Sequence, residues 1–276
     1  MNVIDRIFGR PKPVVAMLHA PALPGRPRHD VAGGIDTIVA SLLRDLLILQ
    51  EAGVDGVMFC NESDIPYQIK VGPEIVAGMA AAIGMLRTEL KIPFGVNLLW
   101  DPVASLAVAR ATGARWIREV MTGVYESDLG LIEPKIGEIA GFRSMVGAMD
   151  VALFDNISPE FSSALGSRTL ADRARGAAFL GVDAVLVSGP AAGAAVSVDA
   201  LRMAKQALVE MDVDVPVLAN TGVRAERVPD ILSVADGCFV GTSLKVDGRT
   251  WNAVDRDRAM RFMDAVRTFR AAPRHA

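Results

Sequence analysis

Eight short apolar runs, separated by helical patterns along 276 residues, constrain this chain more than any other feature. They are VVAMLH (14–19), GVMFCN (56–61), FGVNLL (94–99), WIREVM (116–121), DVALFD (150–155), AVLVS (184–188), PVLAN (216–220) and GCFVG (237–241). Most are apolar at nearly every position, the pattern of parallel strands buried on both faces. The intervening segments carry three- and four-residue spacings instead. Ile38, Leu42, Leu46 and Leu49 form one such stripe, Leu201, Ala204, Leu208 and Met211 another, and Ala259, Phe262, Met263, Val266 and Phe269 the last. Each stripe gives a helix one apolar face to lay on a sheet. Eight strand-helix units in about 250 residues predict an α/β chain forming a single (β/α)8 TIM barrel over residues 1–276.

A weak internal repeat agrees. EAGVDGV (51–57), LGVDAV (180–185) and SVADGC (233–238) each end a helix at a small residue and set an acidic residue before the next strand. The Pro-rich APALPGRPRHD (20–30) is expected to be a long loop after the first strand.

Composition narrows the function classes. The net charge of −3, from 29 basic and 32 acidic residues, offers no positive field for nucleic acid. Cys60 and Cys238 stand alone in apolar runs, so neither a disulfide framework nor a thiolate metal cluster is expected, and a reducing cytoplasm fits. The three histidines, His19, His29 and His275, show no zinc-ligand spacing. MNVIDRIFGRPKP has no continuous apolar stretch of the secretory kind. The run from Gly176 to Val198 is apolar, but Asp183 and its Gly and Pro residues argue for a strand and loop rather than a membrane span.

In a barrel of this kind the loops after the strands carry the chemistry. Polar residues at those ends are His19, Asn61, Glu62, Asn97, Glu119, Asp155, Ser188 and Asn220. His19, Glu62, Asn97, Glu119 and Asp155 are the catalytic candidates, since proton transfer needs titratable groups around one reacting carbon. A hard cation such as Mg²⁺ is an option at Glu62, Glu119 or Asp155, through carboxylates on neighbouring strand ends. The loops after strands seven and eight read NTGV (220–223) and VGTS (240–243). These loops commonly hold phosphate, so Asn220, Thr221, Gly222, Gly241, Thr242, Ser243 and the following Lys245 are the phosphate candidates.

Several segments also carry a resemblance. ANTGVRAERV (219–228), ADGCFVGTSLKVDG (235–248) and NAVDRDRAMRFM (252–263) resemble the C-terminal signature of the BtpA/SgcQ family of barrel proteins. VVAMLHAPALPG (14–25), YESDLGLIEP (125–134) and ADRARGAAFLGVDAVLVSG (171–189) resemble its earlier pieces, so the likeness spans nearly the whole chain. It implies a TIM barrel with no settled reaction: a cyanobacterial member is associated with photosystem I, and others lie among sugar-metabolism genes or are labelled as isomerase-like. The family tends to show D-x-x-x-K-H after strand five. Here the run is FDNISPEFSSALG (154–166), with Asp155 kept and Pro159 and Glu160 where the Lys-His pair would fall.

The favoured expectation is an isomerase or lyase acting on a phosphorylated sugar or nucleotide-like compound. A glycosidic hydrolase using Glu62 with Glu119 or Asp155 is one alternative. A non-catalytic assembly factor that keeps a ligand pocket is the other, and loss of the Lys-His pair suits it. Trp251 and Phe161 are apolar candidates for a homo-oligomer interface.

Overall fold

The computed structural model describes residues 2–191 and 194–272, so His275 and two residues of the apolar 176–198 run lie outside it. A short helix α1 (Val3–Phe8) leads into β1 (Val14–His19), α2 (Gly34–Ala52), β2 (Gly56–Cys60), α3 (Pro73–Met85), β3 (Phe94–Asn97), α4 (Pro102–Thr112) and β4 (Trp116–Glu119). Two small strands, β5 (Tyr125–Ser127) and β6 (Gly130–Ile132), precede α5 (Ile136–Met145) and β7 (Ala152–Asn156). Then follow β8 (Ser162–Ala164), α6 (Leu170–Phe179), β9 (Ala184–Ser188), α7 (Val198–Val209), β10 (Val217–Asn220), α8 (Val228–Val234), β11 (Gly237–Val240) and α9 (Arg256–Ala271). The closed barrel runs β1-β2-β3-β4-β7-β9-β10-β11 and back to β1, every pair parallel. All eight apolar runs are therefore barrel strands, in the expected order.

Strand alternation sorts each side chain to one of two layers. Val15, Met17, Met58, Cys60, Trp116, Ala152, Phe154, Ala184, Leu186, Leu218 and Phe239 fill the barrel interior. Their neighbours, among them Val14, Val57, Val96, Ile117, Leu153, Val185, Val217 and Cys238, pack outward against the helices. Trp116 stacks on Phe154 at 5.9 Å between ring centroids, and Phe154 meets Phe239 edge-on. The indole of Trp116 takes the space beside Gly95, where a Cβ would come within 2.2 Å of Nε1. Helix α1 closes the bottom by setting Val3, Ile4 and Ile7 under this layer, with Phe8 against Trp116. Within MNVIDRIF the apolar residues are spaced for one helical face, a plug too short to stand out by pattern.

The acidic residue of the internal repeat has a physical role. Asp55, Asp183 and Asp236 accept from a backbone N–H at the start of the preceding barrel strand: Val14 (2.7 Å) and Val217 (3.0 Å) at the first residue, and Leu153 (2.8 Å) at the second. Those N–H groups have no partner in a parallel ladder that starts there, and burying them unpaired would be costly. Basic groups pair the same carboxylates: Arg10 and Arg270 on Asp55, Arg143 on Asp183, Lys205 on Asp236.

A three-stranded antiparallel sheet, β6-β5-β8, was not foreseen. It is built from the YESDLGLIEP segment and the stretch after Pro159, and it covers one side of the barrel mouth through Tyr125, Ile132 and Trp100. No helix among the described residues is long and apolar enough to cross a membrane.

Candidate active site

The last inward-facing residue of every barrel strand but β11 forms a polar ring above the apolar interior: His19, Cys60, Asn97, Arg118, Asn156, Ser188 and Asn220. Arg118 is the hub. Its Nη2 donates to Asn97 Oδ1 (2.6 Å), its Nη1 donates to Asn220 Oδ1 (2.8 Å), and its guanidinium lies over the Phe239 ring, 5.7 Å from the centroid. Asn220 in turn donates to Ser188 Oγ (2.8 Å) and to Glu160 (3.2 Å), and Asn156 donates to the other oxygen of Glu160 (3.2 Å). Above the ring opens a cavity of roughly 650 Å³, counting space open to solvent. His19, Glu62, Tyr67, Arg118, Glu160 and Asn220 supply much of its polar lining, while Leu99, Trp100, Phe161 and Phe239 supply apolar walls.

His19 is held by its Nδ1 against the carbonyl oxygen of Thr250 (3.1 Å). A carbonyl only accepts, so Nδ1 carries the proton and Nε2 is left as an acceptor. Burial first, then the charge of Lys245, lowers the pKa of His19 to about 3, which keeps the ring neutral. Glu62 accepts from Tyr67 (3.3 Å), and burial raises its pKa above the ordinary carboxylate value, with the nearby Glu160 adding to the shift.

Two catalytic candidates are one residue out of phase with the ring. Glu119 points outward from β4, behind Asn97 rather than into the cavity, and accepts from Asn97 Nδ2 (2.7 Å) and Ser105 Oγ (2.6 Å). Burial raises its pKa to about 8. Asp155 also faces outward and is fully buried, accepting from Met121 N (2.7 Å) and Thr122 Oγ1 (2.6 Å), with burial raising its pKa to about 6. It ties down the loop after β4. Asn97 itself lies under the cavity and orients Arg118. Glu62, Glu119 and Asp155 therefore do not converge, and no cluster fit to hold a metal ion occurs among the described residues. The same geometry removes Glu62 with Glu119 or Asp155 as a glycosidic pair.

Of the phosphate candidates, Asn220, Thr221, Gly222, Gly241 and Thr242 line the cavity. Thr221 adopts φ of 70°, in the left-handed region, and its hydroxyl is held by the Glu160 carboxylate. Gly222 has a different purpose from the one expected: a Cβ there would meet the Ala194 carbonyl at 2.0 Å, so its bareness admits the loop after β9, not a ligand. Ser243 donates to the Val223 carbonyl (2.7 Å) and joins the two loops. Lys245 was expected at the rim but is buried, with Nζ 3.1 Å from Asp45 Oδ2 on α2. It is a structural cation.

Behind the shared wall of Gly222, Gly241 and Thr242 lies a second cavity of roughly 1180 Å³, counting space open to solvent. Arg224, Arg258 and Arg261 line it together with Ser243, and Glu226 and Asp247 are also on its rim. None of the three arginines makes an ion pair among the described residues. Sequence reasoning missed them and also missed Arg118, Tyr67, Trp100, Thr250 and Glu160. Strand parity from Trp116 would have pointed to Arg118. The others come from loops and α9, where no local pattern marks them.

A profile of the BtpA family matches residues 10–268. The chain belongs to the BtpA family. It is 43% identical over 271 residues to the sgc region protein SgcQ of Escherichia coli, covering 98% of this chain and 100% of that one. It is 28% identical over 263 residues to the photosystem I biogenesis protein BtpA of Synechocystis, covering 94% of this chain and 89% of that one. An uncharacterized protein of Thermococcus kodakarensis is 34% identical across 94% of this chain and 97% of its own. Among solved structures, one titled native KDPGal superposes with a TM-score of 0.60 at 16% identity, covering 94% of this chain and 97% of that one. An archaeal fructose 1,6-bisphosphate aldolase does so with a TM-score of 0.54 at 18% identity, covering 96% and 97%. At these identities the likeness establishes the TIM-barrel fold of this BtpA family member.

Proposed function

We propose that this BtpA family barrel is an enzyme, of isomerase or lyase type, that binds a phosphorylated sugar-like or nucleotide-like molecule across its two adjoining cavities. The phosphate lies against Arg224, Arg258 and Arg261, beside the loops after β10 and β11. The organic portion reaches over Gly241 and Thr242 to the polar ring. One observation carries this reading: two cavities share a wall of small residues, with unpaired arginines on one side and titratable groups on the other. Guanidinium groups match phosphate oxygens bidentately, and a charge left unpaired at a cavity favours an anionic ligand. Neutral His19 accepts a hydrogen bond from a ligand hydroxyl through Nε2. Glu62, Glu160 and Tyr67 meet further hydroxyls. No lysine is among the described residues lining the inner cavity, so chemistry through a lysine Schiff base has no support. Glu160 gives the loop after β7 a charged group in the cavity, which weakens the case that the departure at Pro159 and Glu160 abolishes activity. A cytoplasmic, homo-oligomeric enzyme accords with this reading; Phe161 and Trp251 are both more than half exposed.

The test is a thermal-shift titration with inorganic phosphate and with triose, pentose and hexose phosphates. A ligand at a hundredfold excess over its Kd adds about 2.7 kcal/mol of stability by mass action. At about 2–4 °C per kcal/mol for a chain of this size, that is a shift of roughly 5–11 °C. The Arg258→Ala/Arg261→Ala double variant is expected to fold normally and lose most of the shift. If no phosphate compound stabilises the wild-type protein, the reading is wrong.

A further inference from the structure

Resting on the phosphate reading above, we propose that the ligand carries a carbonyl group whose oxygen is bound by Arg118, and that Glu62 removes a proton from the adjacent carbon. The argument starts from the position of Arg118. Its guanidinium emerges inward from β4 into the barrel mouth, where the layer below is Trp116, Phe154 and Phe239. Its protein partners are neutral: the amide oxygens of Asn97 and Asn220, and the sulfur of Met17 at 3.8 Å. No carboxylate pairs with it among the described residues. These contacts engage three of the five N–H groups of a guanidinium.

A cation at the floor of a cavity, oriented by two amides and paired by neither, is an arrangement that favours negative charge developing on a ligand oxygen. The amides are themselves fixed. Asn97 Nδ2 donates to Glu119, and Asn220 Nδ2 donates to Ser188 and Glu160, so both oxygens are turned toward Arg118. Asn97 and Asn220 are positioning residues in this account. Glu62 lines the same cavity as Arg118, and its carboxylate is backed by Tyr67 and by Cys60 Sγ at 3.7 Å.

The step balances without an added reactant. Glu62 takes the proton from the carbon next to the carbonyl; the C–H electron pair becomes a carbon–carbon double bond; the carbonyl π pair moves to oxygen. The product is an enolate, or an enediolate where the substrate is a hydroxy ketone, with its negative oxygen on Arg118. Return of the proton to the former carbonyl carbon, with the hydroxyl proton passing between the two enediol oxygens so that a new carbonyl forms, gives isomerisation; departure of a leaving group with its bonding pair from the next carbon gives elimination. His19 Nε2, unprotonated, accepts from the hydroxyl that becomes part of the enediol.

The experiment uses matched pairs of phosphates differing only at the carbonyl: dihydroxyacetone phosphate against glycerol phosphate, and the terminal phosphates of ribulose against ribitol and of fructose against glucitol. Affinity is read by calorimetry. Incorporation of deuterium from heavy water into the keto compound is read by mass spectrometry. Wild type is expected to prefer one keto compound over its alditol by roughly tenfold or more, the loss from one charge-assisted hydrogen bond. It is also expected to exchange one carbon-bound hydrogen. Arg118→Met should lose the preference while keeping affinity for inorganic phosphate within about twofold, with Arg118→Lys retaining part of it if the methionine variant folds poorly; Glu62→Gln should bind and not exchange. Phosphates that bind with no keto preference and no exchange would overturn this inference and leave the phosphate reading standing. Failure of inorganic phosphate and of every sugar phosphate to bind would overturn both.

Discussion

Lys245 gives the sharpest contrast between a binding role and a structural one. Its side chain is 1% exposed and Asp45 is 4% exposed, and they meet at 3.1 Å between the segment after β11 and the middle of α2. Asp45 also accepts from Arg44 (3.0 Å) and from the Val254 backbone N–H (3.2 Å), so it fastens the last loop of the barrel to the first long helix. Breaking a buried pair by removing one partner costs about 3–5 kcal/mol, because the other charge is left desolvated. Arg44 remains on Asp45, so Lys245→Met is expected near the lower end, about 3 kcal/mol. That corresponds to a Tm lower by roughly 6–12 °C at about 2–4 °C per kcal/mol. Asp45→Asn combined with Lys245→Met should recover part of the loss, giving a coupling energy in a double-mutant cycle. Lys245 lines neither cavity, so inorganic phosphate affinity measured below the Tm should stay within about twofold of wild type. A Lys245→Met protein as stable as wild type, but with phosphate binding reduced tenfold, would refute this reasoning and restore the lysine to the ligand site.

Two further outcomes follow from buried groups. Glu119 holds a proton in the folded state up to about pH 8, whereas the unfolded chain releases it near the ordinary value of 4.5. Between those values the native state binds more protons, so stability falls as pH rises, by up to about 1.4 kcal/mol per pH unit. Glu119→Gln should flatten that slope in urea unfolding and be more stable than wild type near pH 8; an unchanged slope would show that Glu119 titrates normally. Gly95→Ala forces a methyl within 2.2 Å of the Trp116 indole, and overpacking of this kind costs about 1–3 kcal/mol, readable by chemical denaturation. A Gly95→Ala variant as stable as wild type would mean that the interior stack of Trp116 and Phe154 can shift without cost.

Barrel architecture was written in the chain itself. Eight apolar runs and the helical stripes between them leave few ways to bury both faces of the strands, and the repeated acidic residue before a strand supplies the partner that an N–H at the start of its neighbour needs. The positions of His19, Glu62, Asn97 and Asn220 at the mouth were legible for the same reason, because strand ends carry the loops of the C-terminal face. Strand phase was not. When both faces of a strand are apolar, nothing local says which of two neighbours points inward, and a slip of one residue exchanges the faces. From sequence, Glu119 is therefore as good a candidate for the cavity as Arg118, and Asp155 as Asn156; barrel closure fixes the alternation. Long-range pairing was equally invisible: Lys245 meets Asp45 across 200 positions, and Arg258 and Arg261 reach the loops after β10 and β11 only because α9 packs back against α2, α8 and those loops. Sequence periodicity determined the kind of surface each element needed to bury. Only closure of the barrel decided which side chains share the cavity, since that depends on the relative rotation of eight strands rather than on any one of them.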